Sequence, residues 1–211
     1  RISYRDDDLV ISLQPGIVGA EVNRILARHG RSFGPDPASI GSCMVGGIVM
    51  NNASGMSCGT HANSDRMMRS VRLVFADGSI LDTADMNSRR AFAATHQALM
   101  HEISAIRRDI HADPELQERI RYKYSIKNVT GLNLLPFIRF ENPFDIIAHL
   151  MAGSEGTLAF MSEVTMDTLP VAPYKASAMI YFSSIEEAAR AVVAIKDQPI
   201  TAAELLDRRS L

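Results

Sequence analysis

The sequence predicts a chain of mixed helices and strands, and three observations carry that prediction. Leu9-Val10-Ile11-Ser12-Leu13 puts Leu9, Ile11 and Leu13 on one face at a period of two, the mark of a strand. Val71 to Phe75 and Ile80 to Thr83 have the same alternation and flank Asp77-Gly78, a strong hairpin-turn signal. Val18, Val22, Ile25, Leu26 and His29 recur at helical spacing, as do Phe92, Leu99, Ile103, Ile106 and Ile110 further on.

Taken in order, the first strand ends at the turn Pro15-Gly16, and a helix runs from Ile17 to His29 with Gly30 as its cap. In Phe33-Gly34-Pro35-Asp36-Pro37-Ala38-Ser39 two prolines exclude helix and stiffen an extended path. The hairpin Val71–Thr83 follows, then the long helical pattern with Phe92, Leu99, Ile103, Ile106 and Ile110 on one face. Asp113-Pro114 reads as a cap with proline at the first helical position, opening a helix through Tyr122. Asn142-Pro143 opens another, with Phe144, Ile147 and Leu150 inward and Gly153 closing it. The turn Gly153-Ser154-Glu155-Gly156-Thr157 feeds a strand from Leu158 to Met166. Pro170 and Pro173 mark a boundary. Ser177 to Phe182 reads as a strand, and Ser184 with Glu187 forms a capping box for a helix through Ile195. One strand and one helix cannot close a core, so this end is expected to begin a second domain.

The bulk composition narrows the function classes. At 46% hydrophobic and 22% charged residues the chain is ordinary for a globular protein. A formal charge of -2 gives no reason to expect nucleic acid or an anionic membrane as a partner. No apolar run reaches the roughly 18 residues that span a bilayer. Cys43 and Cys58 lack metal-ligand or redox spacing and suit a reducing compartment, so the cytoplasm is the expected location. The chain begins at Arg1 and enters a strand pattern at once, which suggests a piece of something longer.

The stretch richest in chemical signal runs from Ser39 to Gly59. It carries Gly41, Gly46, Gly47, Gly55 and Gly59, no charge, and short polar side chains at Ser42, Asn51, Asn52, Ser54 and Ser57. Glycine costs folding entropy and is favoured where a ligand or another backbone must come close. Two readings stand: a loop cradling a phosphate or cofactor, and a glycine-rich surface loop. Gly153 to Thr157 is a second small-residue turn of the same kind. A zinc helix of the HExxH type is missing, and neither GxGxxG nor the Walker A pattern occurs. His61 is the histidine beside the glycine run and is the candidate active-site histidine. His29 and His149 read as structural, and Arg121, Lys123 and Lys127 as a solvated face.

Five motifs in order resemble one family. Pro15-Gly16, Phe33 to Ser39, Val45-Gly46-Gly47 with Asn52-Ala53-Ser54-Gly55, Asn128-Val129-Thr130-Gly131, and Gly153-Ser154-Glu155-Gly156-Thr157-Leu158 resemble the FAD-linked oxidase superfamily, whose FAD domain is of the vanillyl-alcohol-oxidase or p-cresol-methylhydroxylase (PCMH) type. The resemblance is strongest to FAD-dependent D-2-hydroxyacid dehydrogenases acting on D-lactate, glycolate or D-2-hydroxyglutarate. The long insertion before Lys127-Asn128, and Ile146-Ile147-Ala148-His149-Leu150, resemble the large bacterial forms, which carry an iron–sulfur module further on. Leu132 departs from the tyrosine that many relatives have after Asn-x-Thr-Gly.

The resemblance implies an α+β fold. Residues 1–169 would be the second α/β subdomain of a PCMH-type FAD-binding domain, lacking its N-terminal subdomain. Residues 170–211 would start an α+β cap domain. FAD would run along Pro35, Asp36, Pro37, Ala38 and Ser39. Gly46, Gly47, Asn52, Ala53, Ser54, Gly55 and Gly59 would line its pyrophosphate and flavin region, and Gly153, Gly156, Thr157 and Val164 would close the other side. Glu155 would orient its turn. The GGGT-type loop of the family would lie before Arg1, and the catalytic histidine and any metal ligands after Leu211, so the piece alone would be inactive. The implied reaction moves a hydride from Cα of a D-2-hydroxy acid to flavin N5 and leaves a 2-oxo acid. The partners implied are a small hydroxy acid and an electron acceptor of open identity, with peripheral contact at the inner membrane open to the full-length protein. A sugar, alcohol or phenol oxidase, and a module that has lost FAD, are the competing readings.

Overall fold

A computed structural model describes residues 2–5, 8–57, 59–195, 197–198 and 200–209. Cys58 lies outside the described residues, and Cys43 is a free, partly buried thiol. Helices and an antiparallel sheet give the α+β class the sequence implied.

Strands β1 (Ile2–Arg5) and β2 (Asp8–Leu13) pair antiparallel at one edge of the sheet. Helix α1 (Gly19–Ala27) follows, burying Val22 and Leu26, and the turn after it reaches Gly30 with φ +65. Strand β3 (Arg31–Phe33) leads to the extended Pro35–Pro37 segment. Next come the short helices α2 (Val45–Met50) and α3 (Ser64–Met67), then the hairpin of β4 (Met68–Val74) and β5 (Ile80–Asp82). An all-helical segment follows: α4 (Met86–Thr95), α5 (Gln97–Ala112), α6 (Pro114–Lys123), α7 (Pro136–Arg139) and α8 (Pro143–Leu150). The chain returns to the sheet as β6 (Phe160–Pro170) and closes with α9 (Ile185–Ile195).

Strand order is β1-β2-β6-β4-β5, and β3 pairs with the last residues of β6. Thus β6, the last strand in sequence, is the centre of the sheet. Its Val164 sits opposite Leu13 on one side and Val71 on the other. The inner hydroxyls of the sheet pair rather than go unsatisfied: Ser12 Oγ lies 2.8 Å from Thr165 Oγ1, and Thr168 Oγ1 donates to the Leu9 carbonyl at 2.6 Å. A buried hydroxyl left without a partner would cost about 1–3 kcal/mol. The core joins Leu9, Ile11 and Leu13 of β2 to Val22 and Leu26 of α1, Val45, Ile48 and Val49 of α2, and Ile146 and Ile147 of α8.

Four predicted elements need correction. The glycine run is not one loop, because its centre folds into α2 and buries Val45, Ile48, Val49 and Met50. A short apolar helix outweighs the glycine cost when its apolar face is covered. The long helix with Phe92 and Ile110 on one face is two helices. The break is at His96, whose ring stacks on Phe92 at 3.9 Å and whose Nε2 meets Asp77 at 2.9 Å, and Ile106 is exposed. The strand expected at 158–166 begins at Phe160 and continues to Pro170. The strand expected at Ser177–Phe182 is not formed: these residues are exposed and pair with no other strand among the described residues. A strand gains its stability from a neighbouring edge, and alternation alone does not supply one.

The caps follow the sequence closely. Asp113 accepts from Leu116 N–H at 2.9 Å, and Asn142 from Phe144 N–H at 2.9 Å. Ser184 Oγ accepts from Glu187 N–H at 3.2 Å. Among the described residues no helix is long and apolar enough to cross a membrane.

Candidate functional site

The two glycine-bearing segments meet at the C-terminal end of α2. The Met50 carbonyl, an orphan acceptor at a helix end, takes hydrogen bonds from both Gly153 N–H and Glu155 N–H, each at 2.9 Å. Gly153 has φ +98, and a Cβ there would come within 3.3 Å of the Gly131 carbonyl and 3.8 Å of Asn52 Cβ. So Asn52, Gly131 and Gly153, which are far apart in sequence, form one junction. Glu155 also takes a left-handed φ of 52, and its side chain is exposed. Thr157 closes the turn on the Ser154 carbonyl through its N–H at 3.0 Å and its hydroxyl at 2.6 Å. Gly156, with φ +75, is exposed.

The segment ahead of α2 takes the extended path that its prolines dictate. Pro35 is buried, Asp36 and Pro37 are half-buried, and Ala38 and Ser39 are exposed. The Ser39 carbonyl then turns the chain by accepting from Ser42 N–H at 2.8 Å and Cys43 N–H at 2.9 Å. Asp36 crosses directly over Gly55, where any Cβ would overlap the carboxylate and the carbonyl of Asp36. From the other direction Lys127 Nζ donates to the Gly55 carbonyl at 2.5 Å. Lys127 is exposed, as a solvated face requires, and its ammonium also ties the inserted segment to the glycine run.

Neighbouring glycines of α2 differ in kind. A Cβ on Gly46 would strike Pro15 Cβ at 2.9 Å, whereas one on Gly47 meets nothing within 4 Å, and Gly47 is exposed. Gly46 is glycine for the sake of the Pro15 turn. Among the described residues Gly47 has no such neighbour, and its φ is not in the left-handed region. Ala53 and Ser54 are half-buried, and Ser64 Oγ donates to the carbonyls of Ile48 at 3.0 Å and Ala53 at 3.2 Å. Gly59 has φ +52 and lies beside the exposed His61. Val164 is fully buried at 0% exposure, and its side chain belongs to the core.

Sequence reasoning missed the polar residues beneath this surface. Asp65 is 1% exposed, and its two carboxylate oxygens are held separately, Oδ1 by His149 Nδ1 at 2.9 Å and Oδ2 by Arg139 Nη1 at 2.8 Å. Its own N–H donates to Asn52 Oδ1 at 2.9 Å. The Phe140 ring stacks on His149 at 4.4 Å and lies under Arg139 at 4.9 Å. Burial pulls the Arg139 guanidinium below its ordinary value, with Asp65 opposing. Burial pushes the nearby Tyr124 phenol up, and the Asp65 charge adds to that. No periodicity marks these residues, which come together from three separate segments. Asn52, Asn63, Arg66, Lys127 and Asn128 line a shallow polar depression above them. The carboxylate oxygen Asp36 Oδ1 and the amide oxygen Asn63 Oδ1 are buried with no hydrogen-bond partner among the described residues.

These features fit a ligand such as FAD on three counts. Gly47 leaves open space where a side chain would stand, the extended Pro35–Pro37 path lies beside the glycine run, and two orphaned acceptors suit a ligand rich in hydroxyl donors.

Comparison with known proteins agrees. Residues 1–84 match the family described as FAD binding domain. The chain is 26% identical over 192 residues to a D-2-hydroxyglutarate dehydrogenase of Haemophilus influenzae, covering 85% of this chain and 18% of that protein. It is 23% identical over 206 residues to a D-lactate dehydrogenase of Archaeoglobus fulgidus, covering 97% and 35%. It is 24% identical over 181 residues to the glycolate oxidase subunit GlcD of Escherichia coli, covering 85% and 26%. An alkyldihydroxyacetonephosphate synthase structure superposes with a TM-score of 0.47 at 19% identity, over 82% of this chain and 21% of that one. The FAD binding domain match covers residues 1–84 of the 211, and the similarity to these dehydrogenases runs over most of the chain. It spans about a fifth of the length of the D-2-hydroxyglutarate dehydrogenases it matches.

Proposed function

We propose that this chain forms one wall of the FAD site of an oxidoreductase that converts a D-2-hydroxy acid to its 2-oxo acid. The observation that carries the reading is Gly47: a glycine exposed on a helix, unexplained by backbone conformation or by any neighbour, in the middle of the FAD-binding match. The names of the relatives supply the substrate class, D-2-hydroxyglutarate, D-lactate or glycolate.

In this reading Pro35 to Ser39, Gly47, Ala53, Ser54 and Gly59 face the cofactor, and Gly46, Asn52 and Gly55, whose places are set by Pro15, Asp65 and Asp36, shape that surface from within. Gly153, Gly156 and Thr157 close the side of the cleft that the Met50 carbonyl anchors. Val164 supports that wall from the core. FAD, when bound, supplies the hydride acceptor. The chain's own residues bind and orient it and keep bulk away from the approach at Gly47. Residues 1–169 act as the cofactor unit, and residues 170–211 begin a substrate-facing unit completed elsewhere in the full-length protein.

The test is the visible spectrum of the full-length protein with each of the three acids. Flavin absorbance that bleaches anaerobically with one of them is the expected result. A colourless protein that takes up no added FAD would overturn the cofactor reading. Bleaching by alcohols or phenols alone would overturn the hydroxy acid.

A further inference from the structure

Asn52 ends α2 in a left-handed conformation, φ 47, which a non-glycine residue holds at a cost. Its side chain is buried, and its Oδ1 is fixed by the Asp65 N–H at 2.9 Å. Asp65 is itself immobilised by two side chains on different helices, Arg139 at the end of α7 and His149 near the end of α8. Both belong to the segment inserted between β5 and β6. The same segment runs on from α8 into the turn whose N–H groups hold the Met50 carbonyl. Two consecutive stations of the glycine run, Met50 and Asn52, are thus held by one inserted unit.

Burying a carboxylate costs several kcal/mol before its partners repay it, and an apolar trio of similar volume would often be as stable. Stability alone therefore does not account for the cluster. What it does uniquely is set a direction: Asp65 fixes Asn52, and Asn52 fixes where α2 stops and the Ala53–Gly55 segment departs.

We propose that Asp65 is a positioning residue for the cofactor wall, acting through Asn52, with Arg139 and His149 as the groups that hold it. This rests on the FAD reading above. Asp65 touches no ligand in this account. Its carboxylate stays paired with Arg139 and His149, while its N–H sets the angle at which Gly47 and Asn52 to Gly55 are presented.

The experiment uses the full-length protein stripped of flavin and titrated with FAD, well below the unfolding temperature of each variant. Asp65→Asn removes the charge and keeps the backbone N–H. It is expected to weaken FAD binding about tenfold, to shift the flavin midpoint potential, and to speed amide exchange over residues 50–55 in the FAD-free protein. Arg139→Met, at a partly exposed position, is expected to give the same pattern at about a third of the size, and Arg139→Lys to restore most of it. If Asp65→Asn does not fold, the Arg139 pair carries the test. A lowered unfolding temperature with FAD affinity, potential and exchange all as in the wild type would overturn the proposal and leave Asp65 merely structural. A wild-type protein that takes up no FAD would instead overturn the cofactor reading, and faster exchange at 50–55 in the variants would still stand as support for the tether.

Discussion

The two halves of the glycine run are glycine-rich for opposite reasons. Around Gly55 the chain has no room: Asp36 crosses over it, Lys127 caps its carbonyl, and nothing larger fits. Around Gly47 the chain has room to spare, on the exposed side of a helix whose other side is fully buried. The first glycine is explained by the fold and the second is not. A glycine-rich motif read from sequence therefore mixes structural and ligand-facing positions, and only the surroundings of each residue separate them.

The largest effect is expected at the crowded half. Gly55→Val must push apart two crossing segments and should destabilise the protein by about 3 kcal/mol, the upper end for overpacking. Urea unfolding measures it, and a loss of a few tenths would mean that the crossing is not as described. Gly153→Ala is intermediate, because φ +98 penalises any side chain and the Gly131 carbonyl stands 3.3 Å from the new methyl. About 1–2 kcal/mol is expected by the same measurement.

The fold was legible where local chemistry decides it. The caps at Asp113, Asn142 and Ser184, the turn at Asp77-Gly78 and the two strands of its hairpin could be read because each signal lies within a few residues. The central place of β6 could not, since it depends on β2 and β4 closing around it from distant positions. Ser177–Phe182 shows the converse: a good local pattern with no edge beside it. At the site, the glycines and prolines stood out in the sequence. Asp65 and Arg139 did not, and His149 was read only as structural, because a buried polar cluster assembled from three segments leaves no spacing to find.

A smaller prediction lies away from both halves, at the helix break. The Ser79 hydroxyl and N–H, and then His96, hold the Asp77 carboxyl below the ordinary carboxylate range. A carboxyl lowered in the folded state contributes stability above its unfolded value of about 3.9 and loses it as pH falls through the folded value. Asp77→Asn should therefore unfold more readily than the wild type at neutral pH, by a small margin because the group is fully exposed. The two stability curves should converge only at strongly acid pH. Parallel curves throughout would remove the carboxylate from the account.

The smallest change in stability is expected at Gly47, and there the account is most exposed to test. Gly47→Ala adds a helix-favouring residue into open space, so the protein should be unchanged or more stable by about 0.5–1 kcal/mol. Gly47→Leu should also fold. Both are to be made in the full-length protein and titrated with FAD. Intact unfolding curves are expected, with FAD affinity falling from Ala to Leu and lost at Leu. A Leu variant that folds and binds FAD as tightly as the wild type would contradict this expectation.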